Sequence, residues 1–293
     1  MNRIILLLLV CLLSGKNVFS QTVYNLDYDI WVTQEDSPLY VFSNKAFLRS
    51  SPGIQSKILD SFSVGREVVF KERTTKFETI KGVYAPWVKI KCGNKEGYVW
   101  LGLLAFGKTD FDKTSFICGI DKTINNADDV RYVLQVKAIR KDTLVCIAEW
   151  KTEPNVTSSY AEMKLLGDVR LKNLTNVVRV SLGGEACGVP TNYYYYGWTG
   201  KKLLPLPTKY SVGDADVFYH SETLLFPNEI GGQPNKIIKL IEEYELLEEA
   251  TETKKEKSKT TNSREVYIWN GQKAVMQKRN SIKMPERKFL PGR

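Results

Sequence analysis

The sequence predicts an all-β protein in which a small N-terminal barrel precedes a larger antiparallel β domain. Runs rich in Val, Ile, Tyr, Phe and Trp recur between clusters of Gly, Asn, Asp and Lys, as expected for strands joined by turns. No stretch keeps its apolar residues at the 3.6-residue spacing of an amphipathic helix. Residues 236–247 have helix-compatible composition, but their β-rich surroundings favour a long strand.

The N-terminus has the pattern of a secretory signal peptide. A positive start at residues 1–3 precedes an apolar run at 4–13 that is too short to span a bilayer stably. Residues 18–20 form an acceptable cleavage site, which places the mature start near Gln21. Cys11 does not follow a small residue, which argues against its lipidation. We expect an exported protein, periplasmic or extracellular, with no transmembrane segment after cleavage.

Removal of the signal peptide leaves roughly 270 residues, enough for two domains of the usual ~100 to 200 residues. The predicted organisation is a signal peptide at 1–20, an N-terminal extension at 21–39, a barrel at 40–107, a β-rich domain at 115–279 with a flexible loop at 251–264, and a basic tail at 280–293.

Residues 87–100 predict a β-hairpin in the barrel. Alternation places Val88 and Ile90 on one face, the core face, and Lys89 on the other with Trp87. The cluster at 93–97 supplies the turn between the two β-rich runs.

Two turns precede this hairpin in the predicted barrel. A strand around Leu48 bends at residues 50–53, where Pro fixes φ and Gly accepts positive φ. Gly65 precedes a second strand that ends near Phe70. Residues 71–81 are longer and more polar than a minimal turn, and we interpret them as an insertion that could reshape a neighbouring groove.

The order and spacing of these segments resemble the bacterial Src-homology-3-like (SH3-like) domain over about a fifth of the chain. The resemblance implies a small barrel that binds a peptide or a cell-wall ligand and performs no chemistry itself. It also implies that aromatic side chains line a ligand groove, and the candidates are Trp87, Tyr98 and Trp100. The alternative interpretation is that one or two of these rings cap the small core. The matching segments are residues 46–52, 58–59, 64–68, 87–90, 97–99 and 103–104.

The second domain begins with a predicted hairpin. Residues 130–139 and 144–150 are β-rich and flank a polar turn at 140–143. Residues 169–182 supply further strand-like runs with a break near 172–173.

A short internal repeat occurs later in the chain. Residues 195–203 and 267–274 each contain an aromatic strand ending in Trp, a two-residue turn with Gly second, and a run with an early Lys. Asn270-Gly271 is a strong hairpin pattern because both turn positions need positive φ. Such hairpins resemble the blades of a β-propeller or a related meander. Two copies are too few to close a propeller, so an open sheet, a sandwich and a partial propeller-like arrangement remain open.

The only histidine of the chain, His220, lies in a segment rich in carboxylates. If this segment is one strand, carboxylates and imidazole share a face and could ligate a divalent cation. The favoured alternative is a polar strand edge with a hydrogen-bonded histidine, so no metal site is predicted. The residues of that face are Asp214, Asp216, Phe218, His220 and Glu222.

The sequence carries no catalytic constellation. The cysteines beyond the signal peptide lack CxxC spacing, and buried thiols and one or two disulfides remain alternatives. Cys118 with Cys187 is the preferred single bridge, because both lie beside glycines. Cys187 with His220 is the one possible Cys-His pair, but no strand-to-helix elbow or helix start lowers the thiol pKa there.

A carboxylate pair of a glycosidase is not recognisable from sequence. We predict a protein that is not an enzyme and holds no cofactor. The four cysteines are Cys92, Cys118, Cys146 and Cys187.

The formal net charge of +9 is concentrated near the C-terminus, where residues 251–293 contain twelve Lys or Arg and four Asp or Glu. Export argues against nucleic acid as a partner, whereas anionic envelope polymers or lipid head groups would feel the same field. A solvated end without a partner is the favoured alternative. Residues 251–264 lack an apolar side chain and predict a flexible loop between two strands, with a frayed end after Arg279.

Together these patterns predict an exported, non-catalytic binding protein of a bacterial cell envelope. The expected partner is a cell-wall peptide or glycan. The alternative is a structural protein that docks another envelope protein, and a cell-wall hydrolase is the least favoured of the three.

Overall fold

The computed structural model describes residues 30–126, 129–156, 158–184, 186–214, 217–251, 253–254 and 256–281. Within them it has nineteen β-strands, one short 3-10 turn and no α-helix, which confirms the all-β prediction. No helix of this described part is long and apolar enough to span a membrane. The predicted signal peptide, its cleavage site, Cys11 and the tail from residue 282 onward lie outside the described residues.

The first sheet has six antiparallel strands in the order β1-β4-β5-β6-β2-β3. Its β5–β6 hairpin confirms the one predicted at 87–100, and Gly93 takes the positive φ of its turn. Val88 and Ile90 are fully buried, as the alternation predicts. The strands are β1 (Pro38–Tyr40), β2 (Lys45–Arg49), β3 (Ile58–Ser63), β4 (Glu67–Ile80), β5 (Val83–Cys92) and β6 (Lys95–Trp100), followed by the 3-10 turn at Leu101–Leu103.

The interpretation of residues 71–81 as an inserted loop is wrong. Strand β4 continues through them to Ile80 and pairs with β5 in a long hairpin that turns at Lys81 and Gly82. Thr and charged side chains suit a strand whose faces are partly in water. The ladder with β5 is irregular between Arg73 and Phe77, where residues 74–76 have no directly opposite residue. Phe77 and Tyr84 stack across this hairpin with their ring centroids 5.1 Å apart.

The second sheet is a four-stranded meander in the order β10-β9-β8-β7. The predicted hairpin at 130–150 is confirmed as β9 and β10. Its turn consists of Lys141 and Asp142, and both have positive φ, as a tight two-residue turn between twisted strands requires. The strands are β7 (Gly107–Phe111), β8 (Thr114–Asn126), β9 (Asp129–Arg140) and β10 (Thr143–Lys151).

The third sheet has nine strands in the path β11-β12-β13-β15-β16-β17-β18-β19, with β14 paired to β13. It is one continuous antiparallel sheet, so the open-sheet alternative for the second domain is the arrangement adopted. The strands are β11 (Tyr160–Leu165), β12 (Asn176–Gly183), β13 (Thr191–Trp198), β14 (Leu203–Pro205), β15 (Lys209–Asp214), β16 (Phe218–Leu225), β17 (Lys236–Glu248), β18 (Lys257–Trp269) and β19 (Ala274–Ser281).

Strand β17 confirms the interpretation of residues 236–247 as a strand. The prediction of a flexible loop at 251–264 is wrong for its second half, because β18 begins at Lys257 and pairs with β17 along its length. The Thr, Ser and Lys side chains there need no buried face, since the neighbouring strand satisfies the backbone and most of these side chains are exposed.

The internal repeat is structurally real, but its turns are longer than predicted. Each connection has four residues, and the amide of its first residue bonds the carbonyl of its fourth, at 199–202 and at 270–273. The side-chain oxygens of Thr199 and Asn270 accept hydrogen bonds from the amides of the third and fourth residues. Gly200 and Gly271 take positive φ. The shared residues therefore encode one type of turn in a single sheet.

The second sheet is packed between the other two. One of its faces, with Ile117 and Ile139, joins a cluster with Phe42 next to the first sheet. On its other face the ring of Phe116 meets the ring of Trp198 edge to face at 5.2 Å. The main hydrophobic cluster extends from the first sheet to β13, so the predicted barrel and the predicted β-rich domain share a core.

The far part of the third sheet has much less buried apolar surface. A second cluster, which includes Leu224, Ile237 and Trp269, covers the near ends of β16, β17 and β18. Beyond it lie 209–214, 218–223, 239–248 and 257–265, which we call the outer sheet. Its principal contacts are between neighbouring strands.

Candidate functional site

Two of the three predicted ligand residues lie in the core. Trp87 is 2% exposed and Trp100 is 4% exposed, and they are directly opposite each other on β5 and β6. The Trp87 indole donates to Glu78 Oε2 at 2.9 Å, and the Trp100 indole donates to the Ala85 carbonyl at 3.0 Å. These two rings therefore cap the core, as the alternative interpretation holds, and a surface ligand does not reach them in this structure.

Tyr98, the third predicted residue, is half-buried and lies between two cations. It is directly opposite Arg49 of β2 on one side and Lys89 of β5 on the other. Directly opposite residues of an antiparallel sheet point to the same side. Three neighbouring strands therefore present guanidinium, phenol and ammonium groups in one row.

A second aromatic ring extends this row along β2. The Lys45 ammonium lies 5.1 Å and the Arg49 guanidinium 5.9 Å from the centroid of the Phe47 ring. We call Lys45, Phe47, Arg49, Lys89 and Tyr98 the aromatic–cationic face. Sequence analysis missed Phe47 and Arg49 as site residues. The alternation in 45–49, which buries Ala46 and Leu48, was the pattern that could have identified them.

The aromatic–cationic face carries three cations and has two carboxylates beside it, because Glu96 lies 3.7 Å from Lys89 and Glu72 of β4 is directly opposite Lys89. Arg49 is held in place because its Nη1 donates to the Ser56 carbonyl at 2.7 Å. Guanidinium groups match carboxylates in geometry, and aromatic rings add apolar contact area. This arrangement can bind an extended ligand that carries carboxylate groups.

The predicted carboxylate and histidine face exists in part. Phe218, His220 and Glu222 alternate on β16 as expected, but Asp214 belongs to the preceding strand, and Asp216 lies outside the described residues. The segment is therefore a hairpin and not one strand. Asp214 is directly opposite Phe218, so the hairpin still places it on the same face.

His220 is hydrogen-bonded between two glutamates. Its Nδ1 lies 3.1 Å from Glu243 Oε1, and its Nε2 lies 3.3 Å from Glu222 Oε1. The Tyr210 ring stacks on the imidazole at 4.2 Å. The hydrogen-bonded histidine of the favoured alternative is therefore present, but its strand is not an edge, because β16 pairs with β15 on one side and with β17 on the other.

A lysine compensates the buried carboxylates beside His220. Glu222 is 6% exposed, and Lys239 Nζ lies 3.1 Å from its Oε2 and 4.0 Å from Glu265 Oε2. Glu222 Oε2 also accepts the Tyr210 amide at 3.0 Å. In the described part of the chain, no group of three or more His, Cys, Asp or Glu is arranged to hold a metal ion.

The four cysteines are unpaired, and the preferred Cys118–Cys187 bridge is wrong. Cys118 is fully buried in β8, whereas Cys187 is exposed in the connection between β12 and β13. Burial raises the pKa of the Cys118 and Cys146 thiols, which disfavours their reactive thiolate forms. Both ring nitrogens of His220 face glutamate oxygens, so the ring is already engaged.

Comparison of this chain with models of protein families, with curated proteins and with solved structures gives no match. The likeness to SH3-like domains therefore depends on the sequence segments alone.

Proposed function

We propose that the chain is an exported, non-catalytic binding protein of a bacterial cell envelope whose first sheet binds a peptide or cell-wall ligand. The observation that supports this proposal is the aromatic–cationic face, where Tyr98 lies between Arg49 and Lys89 on three adjacent strands. The likeness to SH3-like domains and the signal-peptide pattern agree with it.

The chemistry of this face favours a peptide with carboxylate groups. Arg49 and Lys89 can each pair with a carboxylate, and the partly exposed rings of Phe47 and Tyr98 can cover the apolar parts of the same ligand. Cell-wall peptides carry such carboxylates, and an exported protein meets them. The face is formed by strands of a rigid sheet, so the ligand would not have to order a loop on binding.

Retention on purified peptidoglycan tests the proposal. We expect the chain without its signal peptide to be retained, and Tyr98→Ala and Arg49→Gln to weaken binding by about tenfold each, because each removes one principal contact. Matched controls are Tyr84→Ala, an exposed tyrosine at the far end of the β4–β5 hairpin, and Lys122→Gln, an exposed lysine on β8. Retention no greater than that of an unrelated basic protein would overturn the proposal.

A specific observation also supports docking to another envelope protein. Strand β3 is an edge of the first sheet, and its Ile58 and Leu59 side chains are 49% and 45% exposed. An exposed edge strand with apolar side chains can pair with a strand of a partner. Crosslinking in cells distinguishes the two functions. Docking would be favoured if the protein forms a single protein adduct, if Ile58→Lys abolishes that adduct, and if the protein is not retained on peptidoglycan.

A further inference from the structure

Four connections of the third sheet lie together at one end of it. The Asn228 side-chain amide donates to the Asp168 carbonyl at 3.2 Å, and the Asn173 side-chain amide donates to the Gly271 carbonyl at 3.4 Å. The Thr175 amide donates to the carbonyl of the last residue of β13 at 2.8 Å. The connection between β11 and β12 therefore contacts the other three. We call this surface the loop end, and it consists of residues 166–175, 199–202, 226–235 and 270–273.

The connection between β16 and β17 has a fixed conformation. The Glu229 carboxylate accepts the Phe226 amide at 2.6 Å, and the Glu229 amide donates to the Phe226 carbonyl at 3.0 Å. The Gly232 amide donates to the Glu229 carbonyl at 2.9 Å. A Cβ atom at Gly232 would lie 2.0 Å from the Phe226 carbonyl oxygen, so this turn requires glycine. The position of Ile230, between Glu229 and Gly232, is therefore set by the loop itself.

Ile230 is the most exposed large apolar residue of the described chain. It is 100% exposed, whereas the other exposed large apolar side chains there are 37–68% exposed. Partly exposed apolar side chains are common on protein surfaces, because their remaining area still packs on the fold. A wholly exposed isoleucine gains nothing from folding, and its entire side chain is available to an apolar phase outside the protein.

The loop end is also positively charged. Its residues include five exposed cations and two carboxylates, which leaves three positive charges. Among the described residues, none of these five cations forms an ion pair with a carboxylate. The two carboxylates, Asp168 and Glu229, accept backbone amides of their own connections. The cations are Arg170, Lys172, Lys201, Lys202 and Lys273.

This combination favours an anionic lipid surface over other polyanions and over a protein. A nucleic acid or an acidic polysaccharide would pair with the cations but would offer no apolar phase to Ile230. A protein interface has a central group of apolar and aromatic side chains, whereas Ile230 is the one exposed large apolar residue within the loop end. A bilayer surface satisfies both features, because its headgroups attract cations and the boundary of its acyl chains accepts a single apolar side chain.

We propose that the loop end docks the protein on an anionic lipid bilayer. Ile230 inserts at the boundary between headgroups and acyl chains, and the five cations lie against the phospholipid headgroups. The loop end shares no residue with the aromatic–cationic face, so this docking goes beyond the proposed function and does not depend on it.

Co-sedimentation of the chain without its signal peptide with vesicles of phosphatidylglycerol and phosphatidylethanolamine tests the proposal. We expect saturable binding to these vesicles, and little to vesicles of phosphatidylcholine alone. Ile230→Ser should weaken binding by about tenfold, because it removes most of the inserted apolar side chain. Ile54→Ser is the matched control, since Ile54 is a half-exposed isoleucine in the connection between β2 and β3.

A pair of double variants separates the loop end from the overall charge, which residues 251–293 also make positive. Lys201→Gln with Lys202→Gln should weaken vesicle binding by about tenfold or more at low salt. Lys113→Gln with Lys122→Gln removes the same charge from exposed positions of the second sheet and its turn, and should have a much smaller effect. Equal losses in the two double variants would overturn the proposal.

Absence of binding to the anionic vesicles would overturn it too, and so would binding that Ile230→Ser leaves unchanged. If polyglutamate displaces the protein from vesicles while Ile230→Ser binds like the parent, the surface binds polyanions in general and does not dock on lipid. Unfolding curves of Ile230→Ser and the parent should coincide, because the side chain is fully exposed. Tyr98→Ala should leave vesicle binding unaltered, so failure of the peptidoglycan experiment is distinguishable from failure of membrane docking.

Discussion

Strands β9 and β18 are nearly equal in length, but seven of the twelve residues of β9 are buried and only two of the thirteen of β18. Strand β9 is the inner strand of a sheet packed on both faces, whereas most of β18 lies in the outer sheet. Each strand pairs along nearly its whole length with one neighbour, β9 with β8 and β18 with β17, and both of these ladders contain one register shift. Backbone pairing is therefore common to the inner sheets and the outer sheet, but the side-chain interactions that stabilise them differ. Apolar burial stabilises the inner sheets, whereas cross-strand pairs and a buried ion cluster stabilise the outer sheet.

The largest expected effect contrasts an inner with an outer aromatic ring. Trp198→Ala removes a fully buried ring that meets Phe116 and should lower the free energy of unfolding by about 3–5 kcal/mol. Tyr244→Ala in the outer sheet should cost about 1 kcal/mol, because it removes one stacked pair at a half-exposed position. Urea unfolding measures both. Equal losses would show that the outer sheet is as tightly packed as the core.

The next effect concerns the buried charges of the outer sheet. Glu222→Gln leaves Lys239 nearly buried without its principal counter-ion and should cost about 3 kcal/mol. The double variant Glu222→Gln, Lys239→Met should recover much of this loss, because no uncompensated charge remains. Glu248→Gln breaks a solvent-exposed pair with Lys257 and should cost less than about 0.5 kcal/mol. If all three variants unfold like the parent, charge burial does not stabilise this region.

The smallest effect tests the contact between the first and second sheets. Lys137 is 5% exposed, and its ammonium donates to the Phe42 carbonyl at 2.8 Å. Burial lowers the pKa of Lys137 to about 8. Between this value and the ordinary pKa near 10.4, the unfolded chain holds a proton that the folded chain has released, so stability rises with pH.

For this group alone, the free energy of unfolding should increase by about 2 kcal/mol between pH 8 and 10. Chemical unfolding at several pH values measures it, with Lys137→Met as the comparison. The slope of the parent protein should exceed that of the variant across this window. Identical slopes would mean that Lys137 keeps an ordinary pKa and is less buried than the structure has it.

The candidate site could be predicted only in part. Alternation correctly placed Val88 and Ile90 in the core. It placed Trp87 on the opposite face with Lys89, and Trp87 was therefore predicted to be a ligand-binding residue, whereas the structure buries it. That face is covered near Trp87 and partly exposed near Tyr98. The difference depends on side chains of other strands, such as Glu78 of β4, which accepts a hydrogen bond from the Trp87 indole. In the outer sheet, attention to His220 and Glu222 selected one parity of β16, whereas residues of both parities, Tyr219, His220 and Ser221, line a shallow depression of about 510 Å³.

The sequence by itself determined that the chain forms strands, where most of its turns lie, and that its two repeated Trp segments are each followed by a turn with Gly second. These features depend on local φ preferences and on the alternation of apolar and polar residues, both of which are set by a few consecutive residues. Only the tertiary structure decided which aromatic rings are buried, that β4 and β18 extend through polar segments, and that Arg49, Tyr98 and Lys89 share a row across three strands. Register between distant strands and coverage by other sheets set these outcomes, and neither is a property of a single segment.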